Sequence, residues 1–228
     1  MGKAEARLRL IIDAFRSIRP RRKTEKIDSL AALKRFTATR AAFIAQRTLY
    51  GYVKTRMGTQ YPEMFRNPQI IQSLNIAKMH YFAACLSDLA VFVTAHALAD
   101  ARFHDTTRRA LAAHLFDYGL DENLAAATEE FDPEAARHGF RQRAAFIDWS
   151  GRFNVKDAFT HSPEAIMRWA PISDELKQYD YEIVENSVRF SWIDIRDQFE
   201  KHFIAEAAHA DIKAQALGTD GGAAELSR

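Results

Sequence analysis

Apolar residues along this chain recur every three to four positions almost without interruption, and no stretch sustains the alternation of a strand. Leu8, Ile11, Ile12, Phe15 and Ile18 form one face of a first helix over residues 3–18, which Pro20 stops. A second helix is predicted over 29–57, opened by Asp28 or Ser29 and closed by Gly58. Along it Phe36, Phe43, Tyr50 and Met57 recur every seven residues, and Arg40, Arg47 and Lys54 flank that stripe. Asn67 with Pro68 opens a third helix predicted to run to about Phe103.

Shorter helices follow: one from Asp105 to Gly119, one over 122–131, one from Asp132 with Pro133 to about Trp149, and one from Ser162 with Pro163 to just before Pro171. A long terminal helix then runs from Ser173 or Asp174 to about Leu217. These elements predict an all-α protein, an irregular bundle of about seven or eight helices dominated by three long ones. The expected organisation is a basic amphipathic segment and connector over 1–27, one helical domain over 28–217, and a disordered tail over 218–228.

Composition narrows the picture further. Nine Gly and six Pro in 228 residues are few, which disfavours loop-rich β architecture and glycine-lined phosphate sites. Cys85 is the only cysteine, so no intrachain disulfide can form; its apolar neighbours mark it as a buried small side chain rather than a reactive thiol. Arg9 and Asp13 break the first helix too often for a secretory leader, and Ala6 stands where a myristoylation signal wants Ser or Thr. A cytoplasmic protein is expected, although an Arg-rich start also suits an organellar transit segment. The nucleophile elbow, the P-loop, the strand-linked dinucleotide fingerprint and the H-E-x-x-H zinc motif are all missing from the sequence.

Charge is unevenly spread. Residues 1–60 carry 15 Lys and Arg against 4 Asp and Glu, while the remainder carries 17 against 26. Arg7, Arg9, Arg16, Arg19, Arg21, Arg22 and Lys23 surround the apolar face of the first helix. That combination points to docking on an anionic membrane surface or an acidic protein partner, or on the acidic remainder of the chain itself.

Three constellations are candidates for chemistry. In a continuous terminal helix His202, Glu206 and His209 share a narrow sector after Tyr181, Val184, Val188, Ser191, Ile195 and Phe199, and two imidazoles with a carboxylate can converge on a metal. A solvated helix end is the plainer alternative. Asp88 interrupts the apolar run 81–99, so it is expected to be buried and paired, with Arg40 or Arg47 as proposed partners, or else to serve as an acid of raised pKa. Phe36, Phe43 and Tyr50 beside Arg40, Arg47 and Lys54 suit either a core edge covered by basic stems or a nucleic-acid stacking platform. The functional expectation is a non-enzymatic helical binding or adaptor protein without a cofactor, peripheral to a membrane or bound to an acidic partner. An enzyme on the His202, Glu206, His209 face and a nucleic-acid-binding protein are the alternatives.

Overall fold

The computed structural model describes residues 25–99, 103–149 and 158–223, the last eight of these as backbone alone. It is an all-α multi-helix bundle. Helix α1 (Leu30–Met57) begins where the Ser29 hydroxyl accepts from the Ala32 amide at 3.3 Å and the Asp211 carboxylate accepts from the Leu30 amide at 2.7 Å. Two of the donors that a helix start leaves unmet are thereby satisfied, one of them from the far end of the chain. Gly58 ends the helix at φ +54, a left-handed conformation that glycine adopts without strain.

Helix α2 (Pro68–Ala97) is capped by Asn67, whose side chain accepts from the Gln69 amide at 2.9 Å. From Leu86 to Thr94 every side chain is buried, so α2 is the hub around which α1, α3 (Asp105–Asp121), α4 (Pro133–Phe146) and α5 (His161–Trp169) pack. Among the described residues α2 alone is long and apolar enough to cross a membrane, and 72% of its most apolar window is buried inside the protein. It ends at Ala97 rather than near Phe103. The reason is tertiary: the Arg108 guanidinium of α3 donates to the Leu98 carbonyl at 3.1 Å, and His209 Nε2 lies 2.6 Å from the Ala97 carbonyl. Side chains take the carbonyls that a further helical turn would have used.

The long terminal helix expected from periodicity is broken into three pieces: a single turn at Asp174–Lys177, then α6 (Tyr181–His202) and α7 (Ala205–Ala223). Asp180, buried before α6, accepts from the Tyr52 hydroxyl at 2.8 Å and pairs with Arg56, which ties the start of α6 to the end of α1. At the second break Phe203 is extended, and Ile27 bridges it in parallel. The Ile27 amide donates to the His202 carbonyl and the Ile204 amide donates to the Ile27 carbonyl, both at 2.9 Å. A segment preceding α1 has replaced the intrahelical bonds that would have carried α6 onward. Helical backbone in α7 reaches Ala223, six residues into the stretch read as a tail, although three of those six residues are glycines.

Candidate functional site

Asp88 is fully buried, and three hydrogen bonds explain how a carboxylate is kept there. Arg143 Nη1 of α4 donates to its Oδ1 at 2.7 Å, the His161 amide to Oδ1 at 3.2 Å, and the Ser162 amide to Oδ2 at 2.7 Å. The side chain therefore caps the N-terminus of α5 from the middle of α2, with the helix dipole adding to the pairing. Arg143 also donates to the Ser87 hydroxyl at 2.7 Å and the Ala158 carbonyl at 2.9 Å, and Trp192 Nε1 of α6 donates to the Ser162 hydroxyl at 3.1 Å. The partner is thus Arg143 from α4, in place of the Arg40 or Arg47 that the sequence suggested. Arg40 and Arg47 instead lie over the rings of Phe36 and Phe43, at 5.8 and 5.9 Å. Every group in this node has a structural use, and it joins α2, α4, α5 and α6.

One turn before Asp88, Cys85 is fully buried, and burial pushes its thiol well above the ordinary range, with the Asp88 charge adding to the rise. The thiol stays protonated and inert. Tyr81, also fully buried, has its hydroxyl 2.6 Å from that of Thr48 on α1.

The break after His202 separates the three residues expected to share a face. His202 is the last residue of α6, Glu206 is exposed in the first turn of α7, and His209 is half-buried between the rings of Phe103 and Phe203. Their alignment presupposed one continuous helix, and the extended backbone at Phe203, between α6 and α7, interrupts it. Among the described residues no group of three or more His, Cys, Asp or Glu side chains is arranged to hold a metal. The basic residues Arg7, Arg9, Arg16, Arg19, Arg21, Arg22 and Lys23 lie outside the described residues. Of the aromatic stripe, Phe36 is buried with its ring tilted against that of Phe199 at 5.6 Å, and Phe43, Tyr50 and Met57 are half-buried at the edge of the core.

The surface that calls for an explanation is the outer face of α6. Val184, Val188, Trp192, Ile195 and Phe199 turn inward and are buried. Roughly opposite them, Ile183 and Phe190 are 70% and 69% exposed, and Tyr179 just before the helix is 76% exposed. On the groove side of the helix, the residues between Ile183 and Phe190 are the small polar Asn186 and Ser187. With Ser191, Asp194 and Arg47 of α1 these line an open groove of about 620 Å³. The Ser191 hydroxyl donates to the Ser187 carbonyl at 2.9 Å, and Arg189 pairs with Glu185 at 2.8 Å.

Sequence reasoning followed the inward stripe of α6 and missed this outward one. The available signal was two large apolar residues seven apart, off the main stripe by nearly half a turn. Neither a protein-family profile, nor a curated protein, nor a solved structure matches the chain.

Proposed function

We propose that this chain is a non-enzymatic α-helical binding or adaptor protein, and that the groove between α1 and α6 is its recognition surface. The observation that carries the reading is the pair Ile183 and Phe190. Two large apolar side chains held in water on a rigid helix, with small residues between them, are the complement of an amphipathic helix whose apolar residues recur at i, i+3, i+4 and i+7. Asn186 and Ser187 let a partner backbone approach, while Arg47 and Asp194 give the groove a charged rim.

The cytoplasm is the compartment proposed, with the basic N-terminal segment facing an anionic surface or an acidic partner. An enzyme built on His202, Glu206 and His209 lacks a gathered set of donors. A stacking platform on α1 would need rings that are instead engaged with the core edge and with their own arginines.

A photo-crosslinking residue in place of Ser187, introduced into the full chain in cells, tests the reading. The expected result is a discrete crosslink, within the chain or to a partner and mapped by mass spectrometry, that disappears when Phe190→Asp is added. Absence of any product, or a product indifferent to Phe190→Asp, would overturn it.

A further inference from the structure

We infer that the occupant of the α1/α6 groove is this chain's own N-terminal segment, residues 8–18, held in cis. The inference rests on the reading of the groove as a binding surface and names what fills it.

Three observations converge. The first is pattern: Leu8, Ile11, Ile12, Phe15 and Ile18 form a helical apolar stripe, the type of face that the exposed Ile183 and Phe190 can take.

The second is position and reach. Residues 25–27 are fixed beside the C-terminal end of α6, because Ile27 bonds to both His202 and Ile204. Phe190 lies twelve residues before His202, which is about 18 Å along the helix. Residues 19–24 span up to about 20 Å when extended, so Ile18 can be set down beside Phe190. As a helix, residues 8–18 then cover about 15 Å more, and from Phe190 back to Tyr181 is about 13 Å. The apolar stripe and the exposed apolar string therefore have matching lengths once the segment is laid from its attachment point.

The third is charge. Residues 1–24 carry eight Lys and Arg against two acidic residues. The outer side of α6 displays Glu182, Asp194, Asp197 and Glu200, all exposed, of which Asp197 and Glu200 share the one guanidinium of Arg196 at 2.9 and 3.7 Å, leaving the side a net negative charge. The basic stretch that follows Ile18 passes the last three of these on its way to residue 25, an arrangement that favours the segment in cis over an apolar partner of acidic character.

The test uses the purified full chain, with spin labels on cysteines replacing Ser17 and Lys201, an exposed residue of α6 outside the groove lining, so that both apolar stripes and the groove stay intact. A single narrow distance distribution is expected, broadened in the Phe190→Asp background and by Phe15→Asp. A fluorescent peptide of residues 1–24 added in trans should bind the Phe15→Asp chain at least about tenfold more tightly than the unaltered chain, whose groove is already filled. A broad distribution in the unaltered chain overturns the inference. If that broad distribution accompanies a crosslink from position 187 to a second copy or to another protein, the groove remains a binding surface and only the occupant is wrong. If neither a narrow distance nor any crosslink is found, both readings fall. The melting temperature of Phe190→Asp should match that of the unaltered chain to within a few degrees. A large drop would mark Phe190 as part of the core and count against the proposal as well.

Discussion

At the scale of single residues, the Asp88 carboxylate carries more of the fold than its size suggests. It sits at zero exposure, neutralised by Arg143 and bonded to two backbone amides of α5. Asp88→Ala leaves the guanidinium without its charge partner and the α5 amides without an acceptor, and should cost about 3–5 kcal/mol. Chemical denaturation measures this. A double-mutant cycle with Arg143→Met should return a clear coupling energy, because the two groups touch. A fully additive cycle would mean that the pair does not act as a pair.

Histidines supply a second prediction at this scale. His80, His114 and His161 are each held below the ordinary imidazole value, first of all by burial, and His161 also by the nearby Arg143 charge, with Asp88 and Glu164 opposing. Near pH 6.5 the unfolded chain therefore takes up protons that the native protein refuses. Stability is full above that pH and declines as pH falls through it toward the lower native values. The melting temperature should be lower at pH 5.5 than at pH 7.5, and His161→Gln should make that slope shallower; equal melting temperatures would contradict the assignment.

Between elements, the closest approach is at Gly119. A Cβ there would lie 2.6 Å from Leu86 Cδ1 and 3.0 Å from Cδ2, so α3 rides against α2 with no room for a methyl group. In an open helix Gly→Ala gains about 1 kcal/mol, but overpacking a fixed core costs about 1–3 kcal/mol. Leu86 is wholly buried, so the second effect should win and Gly119→Ala should lower the melting temperature. Leu86→Val removes the offending atoms, and in that background the same substitution should be closer to neutral. Thermal unfolding of the two single variants and the double variant decides it.

The same scale explains what could be read from the sequence. Starts such as Ser29, Asn67 with Pro68, and Asp132 with Pro133 were legible because their chemistry is local: an oxygen reaches an amide two or three residues on. Of the inward stripe of α6, Val184, Val188, Ile195 and Phe199 were legible for the same reason, whereas Trp192 was missed, and Tyr181, which is exposed, and Ser191, which lines the outer groove, were wrongly included. The end of α2 at Ala97 and the break at Phe203 were not, since Arg108, His209 and Ile27 impose them through hydrogen bonds across as many as 177 positions, which periodicity cannot register. The candidate surface was illegible because its two apolar residues acquire meaning only once the inward stripe of α6 is seen packed on the core and, among the described residues, nothing covers theirs.

Over the whole molecule the governing feature is the separation of charge between the first 60 residues and the rest. If the N-terminal segment rests on α6, its arginines are partly occupied by Asp194, Asp197 and Glu200, and an anionic membrane must compete with those carboxylates for them. Each basic residue near an anionic leaflet contributes about 1 kcal/mol, and the attraction fades within a Debye length of about 10 Å at 0.1 M salt. Co-sedimentation with vesicles of mixed phosphatidylserine and phosphatidylcholine should therefore show binding that added salt weakens and that purely phosphatidylcholine vesicles do not support. Replacing Arg19, Arg21 and Arg22 together by Gln removes about 3 kcal/mol, and the affinity should fall roughly a hundredfold. Phe190→Asp acts in the other direction: it releases the segment from the groove, frees both its apolar stripe and its charges, and should tighten vesicle binding. Binding that ignores salt and lipid charge would remove the anionic surface from the account. Binding that responds to both, yet is unchanged by Phe190→Asp, would mean that the segment is already free in the native protein.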